Sequence, residues 1–113
     1  MIIKLSSIAY ARSGDKGAHT NIGIVFTNVN VYNWAKEYLT ADIIKSHFSD
    51  IVRGEVLKYN LDNLCSINYI LKDSLKGGGS ESLLNDAQGK TYGQALLLLE
   101  VDLPNEFKEF INE

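Results

Sequence analysis

The sequence predicts an α+β sandwich, a mainly antiparallel sheet with helices packed on one face. Three observations predict it. Several short runs alternate apolar and polar residues, as half-buried strands do. One central run repeats its apolar residues at i, i+3, i+4 and i+7, as an amphipathic helix does. Glycines and an Asp–Asn pair punctuate the runs, so the elements are short and follow one another closely. Each sheet face and each helix stripe must bury itself against another element, which a helix-on-sheet layer pair achieves.

In chain order, residues 2–11 read as a first strand with Ile8, Tyr10 and Arg12 on one face. The run NIGIVFT, residues 21–27, reads as a second, with Ile22, Ile24 and Phe26 on one face. Val31, Trp34, Ala35 and Tyr38 then take helical spacing, and Thr40 has the character of an N-cap for a stripe of Ile43, Ile44, His47, Phe48 and Ile51. Two short helices joined at Thr40 or one bent helix both fit. Gly54 ends this region. Residues 55–61 alternate with Leu57, Tyr59 and Leu61 together, and residues 65–71 with Cys65, Ile67, Tyr69 and Leu71 together. Asp62-Asn63 suits a tight two-residue hairpin turn between them, because both residues tolerate positive φ. The stretch KGGGSES, residues 76–82, favours neither helix nor strand. Residues 82–92 are weakly helical, Ala95 to Leu103 reads as a leucine-rich buried last strand, and Pro104 stops it. Residues 105–113 suit a short terminal helix with Phe107, Phe110 and Ile111 on its apolar side. The order β-β-α-β-β-α-β contains the ferredoxin-like β-α-β-β-α-β pattern.

Bulk properties narrow the function classes. The chain of 113 residues is read as one domain over 1–113. A net charge of −3 and the lack of any Lys/Arg run argue against nucleic-acid binding through a basic footprint. The longest apolar run, Ala95 to Leu99, is too short to span a membrane, and Lys4 interrupts the one stretch that resembles a signal peptide. A cytoplasmic protein is expected. With one cysteine, Cys65, no internal disulfide forms, and Cys65 is expected to be a buried structural thiol. His19 and His47 lack ligand spacing, so no metal site is expected, and His47 is expected to serve the helix stripe structurally.

The stretch ARSGDKGAHTN, residues 11–21, concentrates distinct polar types. One reading is a solvated hairpin loop in which SGDKG makes the turn. The other is a site: Gly14 and Gly17 turn the backbone and expose N–H groups beside Arg12 and Lys16, forming an anion nest. Asp15 then orients Lys16 or acts as a base, and His19 moves protons. Gly77, Gly78 and Gly79 form either a surface loop or a cradle for phosphate or carboxylate. AQGKT, residues 87–91, is no P-loop, because Leu84 stands where that motif needs glycine; Lys90 remains a candidate anion contact. Asn68, unusual inside a strand, either bonds a neighbouring loop or faces a ligand.

The ordered segments ARSGDKG…NIGI, LDNLCSINYIL, LKGGGSESL and DAQGKTYGQALL resemble the C-terminal ferredoxin-fold domain of the acyclic terpene utilisation (AtuA-like) proteins, from about Ile8 to Leu103. Arg12, Ser13, Gly14, Asp15, Lys16, Gly17, Asn21 and Gly23 match the first motif, and Asn63, Leu64 and Asn68 the second. Gly77, Gly78 and Gly79 match the third, and Asp86, Gly89 and Lys90 the fourth. Ala18, Asp62 and Leu84 depart from positions where the family often has an acid, a proline and an arginine. The resemblance implies a domain that follows a larger N-terminal domain or occurs as a separate small chain, here as a stand-alone small chain, and that is associated with breakdown of branched acyl-CoA compounds. Asp15, Lys16 and His19 are the catalytic candidates, of which Asp15 and Lys16 match the family's first motif. The resemblance implies Arg12, Ser13, Gly14, Gly17, Asn21, Asn68, Gly77, Gly78, Gly79 and Lys90 as ligand-binding candidates.

Two readings follow. In one, the chain is a small subunit of an acyl-CoA-pathway enzyme, paired with a larger AtuA-like chain and binding an anionic small molecule. In the other, it is a non-catalytic homo-oligomeric assembly or ligand-binding module.

Overall fold

The computed structural model describes residues 1–16, 19–49, 52, 54–72 and 92–111. A four-stranded antiparallel sheet carries the fold. Its strands are β2 (Ala9–Lys16), β3 (His19–Phe26), β4 (Val56–Leu61) and β5 (Ser66–Leu71), in the spatial order β2-β3-β5-β4. Two very short strands, β1 (Ile2–Lys4) and β6 (Glu100–Asp102), pair antiparallel in a separate sheet. Helices α1 (Val29–Tyr38) and α2 (Ala41–His47) pack on one face of the large sheet, with α1 against β3 and α2 against β4.

Alternation decides which face is buried. Ile22, Ile24 and Phe26 of β3 and Ile67, Tyr69 and Leu71 of β5 face the helices and are sealed from water. Val31, Tyr32, Ala35, Leu39 and Ile44 close the core from the helix side. The helix ends form as the sequence indicates: Thr40 Oγ1 accepts from the Ile43 amide at 3.3 Å and separates the two helices. Asn28 caps α1 in the same way, its Oδ1 accepting from the amides of Asn30 and Val31. Two core-side donors then hold the C-terminal turn of α1. Tyr69 Oη donates to the Leu39 carbonyl at 2.7 Å, and Lys58 Nζ donates to the Lys36 carbonyl at 2.5 Å.

Four expectations are corrected. The first strand is not continuous over 2–11: a 3-10 turn at Leu5–Ser7 breaks it, and Ile8 is buried rather than sharing the face of Tyr10 and Arg12. Leu5 is wholly buried there, so the break lets the chain tuck an apolar side chain into the core before it enters the sheet. The stretch from Arg12 to Asn21 is mainly ladder, not loop. Gly14 pairs with Asn21 inside it, so Gly14 does not turn the chain. A longer turn replaces the two-residue hairpin at Asp62-Asn63. It runs through a 3-10 segment, Asp62–Leu64, and Cys65 adopts the left-handed conformation at φ 48°. Cys65 is thus a half-buried turn residue and not a buried strand thiol. Finally, residues 92–97 are helical (α3), and only Glu100–Asp102 extend as a strand. Leu96 is fully buried while Leu98 is 58 % exposed, the one-sided burial of a helix and its exit turn. Alanine and leucine are strong helix formers, and a short apolar run carries no period that excludes helix.

The C-terminal Asn105–Phe110 segment is a 3-10 helix whose Phe107 and Phe110 lie partly buried beside α1, with Phe107 against Trp34. No helix among the described residues is long and apolar enough to cross a membrane.

Candidate functional site

The face of the large sheet opposite the helices carries the candidate site. Three cross-strand rows define it. Tyr10, Val25, Ser66 and Leu61 form the first; Arg12, Gly23, Asn68 and Tyr59 the second; Gly14, Asn21, Ile70 and Leu57 the third. This outer face is not the polar surface that antiparallel sheets commonly show to water. Tyr10 is 65 % exposed and Tyr59 48 %, with Val25 and Leu61 also open.

Polar side chains occupy its middle. Arg12 and Asn68 share a row on either side of Gly23, and Asn21 lies in the next row. None of the three makes a side-chain hydrogen bond or ion pair among the described residues. No described loop takes the side-chain hydrogen bonds of Asn68. Beside Asn21, a depression of about 170 Å³ is lined among the described residues by His19, Thr20, Asn21 and Ile70. The β2–β3 and β3–β5 ladders thus bring Arg12, His19, Asn21 and Asn68 to one side of one sheet.

Ser13 goes elsewhere. It alternates to the helix side of β2, where its Oγ accepts a 2.9 Å hydrogen bond from the Gly93 amide. Gly93 lies in the first described turn of α3. The hydroxyl therefore binds the α3 backbone rather than facing the outer surface. Gly93 permits the contact: a Cβ there would come within 3.3 Å of Ser13 Oγ and 3.4 Å of Ala11 Cβ. Asp15 and Lys16 take ladder positions opposite Thr20 and His19. Gly17, Gly77, Gly78, Gly79 and Lys90 lie outside the described residues.

His47 serves the fold, as its place on the helix stripe implied. Its Nε2–H donates to the Ala95 carbonyl at 2.9 Å, and its ring meets Phe48 edge-on. Among the described residues no three of His, Cys, Asp and Glu gather as metal ligands would.

Sequence reasoning missed one polar anchor. Asp62, at the β4–β5 turn, accepts a 2.5 Å hydrogen bond from Tyr32 Oη and a 3.3 Å contact from Lys36 Nζ. The Tyr32 hydrogen bond, with Lys36 beside it, holds the Asp62 carboxyl below its ordinary range. Burial, then the bond to Asp62, pushes the Tyr32 hydroxyl up to about 12. Nothing local in the sequence pairs a helix tyrosine with a turn aspartate 30 residues away.

No curated protein and no solved structure matches the chain. A family model does, over residues 3–102, which take in the six strands, save Ile2 of β1, and helices α1, α2 and α3. The chain belongs to the AtuA ferredoxin-like domain family.

Proposed function

We propose that this domain binds an anionic acyl-CoA-type intermediate on the outer face of its large sheet, as the small partner of a larger AtuA-like chain. One observation carries the reading. Arg12, Asn21 and Asn68 stand on one face, around Gly23, with no side-chain partners among the described residues. An unpaired guanidinium flanked by two carboxamides suits an anion with adjoining carbonyl groups, because charge-assisted hydrogen bonds are the strong ones. Arg12 holds the anion in this reading. His19, in the adjoining depression, handles protons. The acyl-CoA assignment rests on the family.

Calorimetric titration of the chain with a branched acyl-CoA tests it. Binding is expected, weakened about tenfold or more by Arg12→Ala. A wild-type chain that takes up no acyl-CoA, alone or with its larger partner, overturns the proposal.

The exposed Tyr10, Val25, Tyr59 and Leu61 favour a second reading, self-assembly through the same face. Sedimentation at tens of micromolar separates the two. A dimer that Tyr10→Glu converts to monomer supports assembly, and a monomeric wild type removes it.

A further inference from the structure

Glycine inside a strand costs about 0.5–1 kcal/mol relative to alanine, so its presence needs a reason. Gly54 and Gly93 have one in packing. A Cβ on Gly54 would lie 2.7 Å from the Lys72 carbonyl oxygen, and Gly93 sits close against β2. Gly14 and Gly23 have none among the described residues. A Cβ on Gly14 would meet nothing within 4 Å, and one on Gly23 would meet only Asn68 Oδ1, at an ordinary 3.6 Å. Neither has the positive φ that favours glycine.

Their positions are related. Gly14 lies in the third row on β2, Gly23 in the second on β3, and Ser66 in the first on β5. The three form a diagonal of minimal side chains across the outer face. Asn21 and Asn68 wall it on one side, Arg12 and Val25 on the other. With strands spaced roughly 4.8 Å apart and a rise of roughly 3.4 Å per residue, the diagonal is about 17 Å long. A second observation points to a ligand. Ser66 is only 6 % exposed, yet its hydroxyl has no hydrogen-bond partner among the described residues. That hydroxyl is not sealed in, because no buried side-chain polar atom lacks a partner among those described. It therefore opens onto the floor of this furrow.

We infer that the furrow over Gly14, Gly23 and Ser66 holds a linear, amide-bearing chain whose anionic end is taken by Arg12. The inference rests on the reading of this face as an anion site and adds the part of the ligand beyond the anion. The carboxamides of Asn21 and Asn68, on diagonal positions about 7–8 Å apart, each offer a donor and an acceptor to an amide. Ser66 offers a third group from below. The floor selects a chain without a side chain at every second residue. A peptide on a sheet needs a pocket for every second side chain, and a floor one small residue wide supplies none.

The probe is 4′-phosphopantetheine, an anion joined through a short dimethyl-bearing segment to a linear run with two amides, titrated into the isotopically labelled chain beside inorganic phosphate. Amide shifts at Gly14, Gly23, Ser66 and Asn68 are expected with phosphopantetheine and not with phosphate. Gly23→Val fills the furrow with a strand-favouring residue. It is expected to weaken phosphopantetheine binding tenfold or more, while leaving phosphate binding unchanged and the thermal midpoint equal or higher. Equal phosphopantetheine binding by the folded Gly23→Val chain overturns the furrow and leaves the anion site standing. Phosphate binding as tightly as phosphopantetheine does the same. An acidic tetrapeptide with bulky side chains that binds equally well overturns the selection against a side-chain-bearing backbone. Binding of neither phosphopantetheine nor phosphate overturns the furrow and the anion site together.

Discussion

The amide of Gly93 donates a 2.9 Å hydrogen bond to Ser13 Oγ, joining residues 80 positions apart in the chain. The contact ties the edge strand of the large sheet to the first described turn of α3. Within one motif, the structure divides the labour: Ser13 turns inward to the fold and Arg12 turns outward to the surface.

Ser13→Ala therefore reports on stability. It removes an acceptor from a partly buried backbone N–H of α3, a loss of about 1–2 kcal/mol. Urea unfolding is expected to show an earlier midpoint with an unchanged slope. Affinity for an anion on the outer face is expected to stay at the wild-type value. A stability equal to wild type removes this structural role.

The Tyr32–Asp62 contact has two pH signatures of opposite sign. The Asp62 carboxyl is held below its ordinary value, so its contribution is present above the unfolded aspartate value of about 4. That contribution is lost as the pH falls through the depressed folded value. Tyr32 is raised to about 12, so its contribution is complete below the unfolded tyrosine value of about 10. It is lost as the pH rises towards 12. Asp62→Asn is expected to flatten the acid limb of the stability profile. It is also expected to bring Tyr32 ionisation to lower pH in a tyrosinate absorbance titration, though burial keeps it above the ordinary value. An unmoved Tyr32 titration counts against the contact.

Glycine substitutions should split by sign. Gly54→Ala drives a methyl group to 2.7 Å from the Lys72 carbonyl oxygen, beside the ladder that pairs β4 with β5. Forced overpacking of this kind costs about 1–3 kcal/mol. Gly14→Ala meets nothing within 4 Å and loses the conformational freedom of glycine in the unfolded chain. It is expected to gain about 0.4–1 kcal/mol. Parallel thermal unfolding of the two variants checks both signs, and a destabilised Gly14→Ala would mean that packing demands that glycine.

The parts of this fold that are legible in the sequence are those set by local pattern. The alternation of Ile22, Ile24 and Phe26 and of Ile67, Tyr69 and Leu71 marks the two central strands, because each has one sealed face. Thr40 marks a helix start because its side chain bonds three residues on. The leucine run after Ala95 misleads because a short apolar stretch fits a buried strand and a buried helix equally. Gly14, Asp15 and Lys16 look like a loop because their residue types favour turns, yet pairing with β3 overrides that preference. At the site, Arg12, Asn21 and Asn68 stand out by residue type, but their common face depends on the register of three strands. So does the diagonal of Gly14, Gly23 and Ser66, which no single segment of sequence contains.

The C-terminal turn of α1 offers the last test, because two donors from neighbouring strands meet it. Tyr69 Oη reaches the Leu39 carbonyl and Lys58 Nζ the Lys36 carbonyl. Both donors sit on the helix side of the sheet, directly opposite each other in the β4–β5 register. Helix C-terminal carbonyls carry partial negative charge, so an ammonium there is favourable, although burial lowers the Lys58 pKa. Tyr69→Phe strips a buried carbonyl of its donor and is expected to cost about 1–3 kcal/mol. Lys58→Met keeps the aliphatic stem and loses only the charged donor. Because both donors hold one helix end, their losses are expected to couple. The double variant should differ from the sum of the single variants by about 0.5 kcal/mol or more. Side chains alternate along a strand, so Asn68 and Tyr59 stay on the outer face while their inner neighbours change. Folded protein carrying Tyr69→Phe is therefore expected to keep wild-type affinity for 4′-phosphopantetheine. An additive double variant would mean that the two donors hold the helix end independently. An affinity that falls with stability would mean that the inner clamp also shapes the outer face.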